Sequence, residues 1–136
     1  MTELPEWIPQ DHPSRAILSK LSGRRRGSIV FKLLDRCWYS KEVLEWESLL
    51  HTTLVGLGEV EFHHGEFYVA SDGRCFGLSC VHDAFYFEGE SFKKYWLRKF
   101  LGSRARPMLR PDQSSVMLYG IVYTRESPET YFPPKH

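Results

Sequence analysis

"YVASDGRCFG", residues 68–77, is the stretch that decides the fold, because a turn here joins two apolar runs. Asp72 and Gly73 are residues that accept the positive φ angles of two-residue hairpin turns. A turn centred on them pairs Val69 with Phe76, and it places four apolar side chains on one face: Phe67, Val69, Phe76 and Leu78. We interpret Asp72-Gly73 as a structural turn. The alternative is a chemical site made by Asp72, Arg74 and Cys75.

Two neighbouring turns, centred on residues 64–65 and 81–82, extend this pairing. The first turn pairs Val60 with Val69, and the second pairs Phe76 with Phe87. All three turns then agree on one register, although a slip of one residue would move every side chain to the opposite face.

The agreement predicts a four-stranded antiparallel meander over residues 59–88 with a single core face. That face consists of Val60, Phe62, Phe67, Val69, Phe76, Leu78, Phe85 and Phe87. A helix over residues 91–101, capped by Ser91 and ended by Gly102, is expected to cover it. Its predicted buried stripe is Phe92, Tyr95, Trp96 and Phe100.

Other segments complete the prediction of an α+β fold, in which an antiparallel meander of about five to six strands packs against two to three helices. Helices are predicted over residues 14–21 and 41–51, with Ser14 and Ser40 as their caps. Residues 116–123 are apolar on both faces, which predicts an internal or doubly covered strand. We expect a single domain over residues 1–136, with an irregular lead-in at 1–13 and an irregular tail at 125–136.

Composition indicates a soluble globular protein that is expected to be cytoplasmic. The chain has 136 residues, 42% of them hydrophobic and 26% charged, and a net charge of +1. That charge gives no bulk attraction to nucleic acid or membrane. The N-terminus lacks the apolar run of a signal peptide, and no apolar run is long enough to span a bilayer. Three cysteines form no even framework, so we expect reduced thiols.

Charges are segregated along the chain. Residues 42–73 contain seven acids and no Lys or Arg, whereas residues 91–110 contain seven basic residues and no acid. The register turns several acids and tyrosines of the meander away from the core, and we predict these as the partner-binding residues: Glu59, Glu61, Glu66, Tyr68, Tyr86 and Glu88. Such a face suits a basic protein partner. The alternative is an ordinary solvated surface.

Three other functions are alternatives. The spacing of Cys75, Cys80 and His82, with two histidines at 63–64, is loosely ligand-like but lacks paired zinc knuckles, so no metal or cofactor is expected. A small enzyme would use Cys80, His82 and Asp83, but neighbours in sequence seldom form a triad, so we expect no catalytic residues. A nucleic-acid-binding protein would use the arginines at 24–26 and the basic stretch 93–110.

Residues 58–102 resemble the core of the SUKH superfamily. The matching positions are Gly58-Glu59, Asp72-Gly73, Phe76, Phe85, Phe87 and Ser91-Phe92. Many bacterial members are immunity proteins that bind and neutralise toxins, often nucleases, which tend to be basic. Other members are intracellular regulators or translocon partners. The resemblance implies an α+β fold and a toxin-antitoxin role as a protein-binding domain without catalysis. The N-terminal third, the extra strand and the Pro-rich tail depart from the family pattern.

Overall fold

The computed structural model describes residues 4–60, 65–80, 84–102, 105–110, 112–118 and 120–124. These residues form three α-helices: α1 (Ser14–Leu21), α2 (Lys41–Leu50) and α3 (Phe92–Phe100). They also form nine strands: β1 (Arg25–Arg26), β2 (Ile29–Phe31), β3 (Val55–Val60), β4 (Gly65–Val69), β5 (Cys75–Ser79), β6 (Ala84–Gly89), β7 (Arg106–Pro107), β8 (Ser115–Leu118) and β9 (Ile121–Thr124). The predicted α+β class is confirmed.

Strands β1 to β7 form one antiparallel sheet in which spatial order follows chain order, with two-residue strands at both edges. Helix α2 packs on one face and contributes Val43, Trp46 and Leu50 to a core that includes Phe76 and Phe85. We call this the α2 core. Helices α1 and α3 cover the opposite face, where a second core, the α1/α3 core, is built around Phe31, Phe67 and Tyr95. The fold therefore has three layers.

The prediction of a single core face is wrong, because Phe67 and Phe76 lie on opposite sides of the sheet. Phe76 pairs with Tyr68 instead of Val69, a slip of one residue from the predicted register. Phe67 and Val69 therefore point into the α1/α3 core, while Tyr68 points into the α2 core.

The hairpin between β4 and β5 shows why the register slips. Its loop has three residues, since the Ala70 amide donates to the Arg74 carbonyl (2.9 Å) and the Gly73 amide donates to the Ala70 carbonyl (3.0 Å). Gly73 has a φ of +93°, which is the left-handed position that closes three-residue loops. The structural interpretation of the Asp72-Gly73 turn therefore holds, but the turn contains one residue more than predicted.

The β3–β4 register also differs from the prediction. Val60 pairs with Gly65 instead of Val69, and the register shifts between Gly56 and Gly58, where β3 contains one extra residue. The intervening residues 61–64, which include Phe62, lie outside the described residues. The β5–β6 register was predicted correctly, with Phe76 opposite Phe87.

Two of the three predicted helix caps are confirmed, and the Ser14 cap of α1 is wrong. The Ser40 hydroxyl accepts from the Val43 amide (3.3 Å), and the Ser91 hydroxyl accepts from the Lys94 amide (3.1 Å). At the start of α1 the cap position is Pro13, and Ser14 makes no cap bond. In the described part of the chain, no helix is both long and apolar enough to cross a membrane.

Residues 116–123 do not form the predicted internal strand. Strands β8 and β9 pair only with each other, in a hairpin separate from the main sheet. Their outer side chains are exposed: Met117, Ile121 and Val122.

Candidate functional site

The residues predicted to bind a partner do not form one surface. Glu59 and Glu66 pair across β3 and β4, on the side of the sheet that Tyr68 occupies. Tyr86 and Glu88 alternate along β6 with Phe85 and Phe87, which face the α2 core. Tyr86 and Glu88 therefore lie on the opposite side of the sheet, which α3 covers. Glu61 lies outside the described residues.

Tyr68 is fully buried, so it cannot contact a partner in this conformation. Its hydroxyl donates to a Glu66 carboxylate oxygen at 2.6 Å. Burial and this hydrogen bond raise the pKa of Tyr68, which keeps the phenol protonated as a donor. The physical reason for the wrong assignment is the slip in register, which turns Tyr68 from the outer face into the α2 core.

Glu88 is also engaged within the chain. Its carboxylate forms an ion pair with Arg98 of α3, and the Arg98 Nε donates to the Glu88 carbonyl at 2.9 Å. Only 17% of the Glu88 side chain and 19% of the Arg98 side chain are exposed. Burial raises the pKa of Glu88, against the lowering effects of Arg98 and Lys99. The pair joins β6 to α3.

Five of the six described acids in segment 42–73 form ion pairs with basic residues outside the segment. Among the described residues, each of its acids is bound internally: Glu42 and Glu45 by Arg110, Glu47 by Arg36, Glu59 by Lys32, Glu66 by the Tyr68 hydroxyl, and Asp72 by Arg74. The segregation of charge in the sequence therefore reflects pairing in the fold. The acidic docking face expected from the sequence is not formed by these residues.

The cysteines do not gather into a site in the described residues. Burial raises the pKa of Cys75 to about 12, which keeps the thiol protonated and unreactive at neutral pH. Cys37 and Cys80 are exposed. The His82 and Asp83 of the enzyme hypothesis, and the two histidines at 63–64, lie outside the described residues. Within the described residues, no group of three metal-ligating side chains occurs.

An open groove of about 660 Å³ lies between the lead-in, α2 and the tip of the β4–β5 hairpin. Its two charged residues, Arg36 and Glu47, are bound to each other. Glu47 accepts from Arg36 and from the Leu54 amide (2.8 Å), and the Arg36 guanidinium lies 5.1 Å from the centre of the Trp7 ring. The groove is therefore a poor candidate for a ligand site.

Helix α3 carries the most distinctive exposed surface. Tyr95 is buried on its inner side, while Leu97, Phe100 and Leu101 are 56%, 87% and 67% exposed. Their spacing of three and four residues places these three side chains on one side of the helix. We call them the α3 patch. The patch was not predicted from the sequence, because Phe100 fits the helical stripe of Phe92 and Tyr95 and was therefore assigned to the core. Two leucines off that stripe, at 97 and 101, were the available signal.

Two basic segments that are far apart in sequence meet beside the α3 patch. Arg26 of β1 stacks on the ring of Trp96, with its guanidinium carbon 4.7 Å from the ring centre. Lys93 and Lys99 of α3 are exposed nearby in sequence. The nucleic-acid hypothesis named both segments, but nothing in the sequence indicated that a tryptophan would join them.

Comparisons with family models, with curated proteins and with solved structures found no match to this chain. The likeness of residues 58–102 to the SUKH superfamily rests on its motifs alone and stays a prediction. In the fold, the motif residues Asp72-Gly73 lie in the β4–β5 turn, and Ser91-Phe92 begin α3.

Proposed function

We propose that this chain is a protein-binding domain of the immunity type, which neutralises a toxin by binding it through the α3 patch. The observation that carries the proposal is the exposure of Leu97, Phe100 and Leu101 side by side. Single exposed apolar residues are ordinary, but adjacent ones mark interaction surfaces. Aromatic residues at the centre of such a surface commonly supply most of the binding energy.

The arrangement of α3 supports this role. The helix is held on the sheet by its inner aromatic side chains and by the Glu88–Arg98 ion pair, so its outer side is presented on a rigid element. A rigid surface loses little conformational entropy when it binds. The motifs of residues 58–102 add the expectation that the partner is a toxin.

The experiment first searches the genes beside this one for a toxin gene, and then uses the toxin domain that it encodes as the binding partner. We expect the unmodified chain to bind it and to relieve toxicity in co-expressing cells. Phe100→Asp should weaken binding by about 30-fold or more, the scale of a hot-spot residue. Trp38→Asp is the matched control, because Trp38 is also an aromatic residue and is 82% exposed in the segment before α2.

A neighbouring toxin that the unmodified chain fails to bind would contradict the proposed function, as would the absence of such a gene. Equal losses from Phe100→Asp and Trp38→Asp would exclude the α3 patch as the contact surface. Circular dichroism of both variants establishes that each one folds.

A further inference from the structure

We infer that the partner of the α3 patch is an acidic protein surface, in which a carboxylate binds Arg26 beside an apolar cavity that receives Phe100. This inference rests on the proposed function and adds the chemistry of the partner. Its charge is opposite to the basic partner expected from the sequence, because the fold pairs the acids internally and leaves basic side chains around the patch.

Arg26 is held in place by α3. Its guanidinium stacks on Trp96, and the Trp96 ring also packs against the turn that follows β1, where a Cβ added at Gly27 would lie 3.3 Å from the ring. Trp96 and Phe100 are four residues apart, so they are neighbours on the helix surface. Arg26 therefore lies at the edge of the α3 patch on a fixed support.

Stacking on an indole orients a guanidinium without using its N–H donors. The planar fork of Arg26 stays available for a bidentate carboxylate, which is the geometry that arginine binds best. Desolvation by a partner would also strengthen the cation–π contact. Arg26 thus selects a partner that has a carboxylate at a fixed position relative to its apolar cavity.

Exposed basic side chains lie on α3 and next to β1, which Arg26 joins to α3. Arg24, Arg26, Lys93 and Lys99 are all exposed. Within the described part of the chain, neither Arg26 nor Lys93 forms an ion pair. The acids of segment 42–73 that the structure describes are paired instead. This surface therefore attracts carboxylates and steers an acidic partner towards α3.

The apolar character of the patch favours a protein over nucleic acid or lipid. Leu97, Phe100 and Leu101 need a shaped apolar cavity, whereas protein–DNA interfaces are more polar. A lipid surface would be held by a long amphipathic face, and α3 has nine residues with its inner side already buried in the fold.

The test measures association and dissociation rates with the neighbouring toxin domain, in about 0.05 M and about 0.5 M salt, where charges are weakly and strongly screened. Arg26→Glu should lower the association rate about tenfold in low salt, and the difference should shrink in high salt. Arg26→Lys keeps the charge but loses the fork, so it should raise the dissociation rate with a smaller effect on association. Lys41→Glu is the control for charge reversal, because Lys41 is exposed on α2, across the sheet.

Binding that is insensitive to Arg26→Glu and to salt would overturn this inference and leave the proposed function standing. Failure of the unmodified chain to bind would overturn both. The same variants are tested against a DNA duplex and against phosphatidylserine vesicles at about 0.15 M salt. Tight binding to either probe that Arg26→Glu and Phe100→Asp abolish would also overturn the inference, since the occupant would then be a nucleic acid or a membrane.

Discussion

Replacing Arg98 by Met removes the counter-ion of a carboxylate that lies between β6 and α3. Breaking a fully buried pair in this way costs about 3–5 kcal/mol, because the remaining charge is left unpaired. The Glu88 and Arg98 side chains keep 17% and 19% of their exposure, so water screens part of this effect. We therefore expect Arg98→Met to lower the free energy of unfolding by about 2–3 kcal/mol.

A double replacement, Glu88→Leu with Arg98→Met, separates the charge from the packing. Replacing a whole buried pair by apolar side chains is often neutral or stabilising, so the double variant should fall within about 1 kcal/mol of the natural chain. Lys94→Met is the control. Its ion pair with Glu90 is well exposed on both sides, and its loss should change stability by less than about 1 kcal/mol. Urea unfolding gives each value.

The pH dependence of the free energy of unfolding tests the Glu88–Arg98 pair independently. Burial raises the pKa of Glu88 in the folded chain above its ordinary value of 4.5, and removal of Arg98 takes away a lowering effect. A carboxyl whose pKa is higher in the folded state than in the unfolded state destabilises the fold when it is ionised. This destabilisation decreases as the pH falls towards the pKa of the unfolded state. The deficit of Arg98→Met should therefore shrink between about pH 7 and pH 5.

The double variant has no carboxylate at this position and should show no such recovery. If Arg98→Met is as stable as the natural chain, or if its deficit is the same at both pH values, Glu88 is not a buried charge that depends on Arg98. The reasoning that removes it from the partner-binding residues would then be refuted.

Three further perturbations test other parts of the fold. Gly58→Ala should lower the free energy of unfolding by about 2–3 kcal/mol, because its Cβ would lie 2.8 Å from the Val30 carbonyl oxygen, and an unchanged urea midpoint would contradict this close approach of β2 to β3. Gly73→Ala places a side chain at a φ of +93° with no clash and should cost about 1–2 kcal/mol, with Gly73→Asn costing less, and equal stability of all three chains would argue against the three-residue turn. Burial lowers the pKa of His12, whose Nδ1 accepts from the Ser14 amide, so its contribution is complete above the ordinary value of 6.5 and is lost as pH falls through the folded pKa. Urea midpoints at about pH 8 and pH 5.5 should show less loss in His12→Gln, and an identical loss would count against this role for the imidazole.

Local signals in the sequence were reliable where one residue decides the outcome. Ser40 and Ser91 cap their helices as predicted, because a hydroxyl at that position satisfies an amide that the helix leaves free. Gly102 has a φ of +78° just past α3, in agreement with its predicted role. The β5–β6 pairing was also predictable, since three aromatic side chains at 76, 85 and 87 align on one face.

The register of β4 could not be read from alternation, because both faces of this strand are buried. Phe67, Tyr68, Val69 and Ala70 are all almost inaccessible to solvent. A strand covered on both sides loses the polar and apolar alternation that distinguishes its two faces. In the sequence, the unbroken run of apolar and aromatic residues at 67–70 indicated that helices cover both faces of the sheet, and so did the three predicted helices.

The α3 patch and its basic surroundings were predictable only in part. Sequence places Leu97 and Leu101 off the aromatic stripe of the helix, but it cannot show that Phe100 lies outside the core. The contact between Arg26 and Trp96 joins residues 70 positions apart, and the ion pair between Glu42 and Arg110 spans 68 positions.

The sequence by itself determined the caps of α2 and α3, the glycine turns and the strand order of the meander, because these follow from the backbone chemistry of single residues and short repeats. The tertiary structure alone decided which face each side chain occupies and which charges stay exposed. The physical reason is that a two-residue loop and a three-residue loop have similar local energies. The choice between them decides whether Phe67 or Tyr68 enters the α2 core, and this changes the packing of an entire layer.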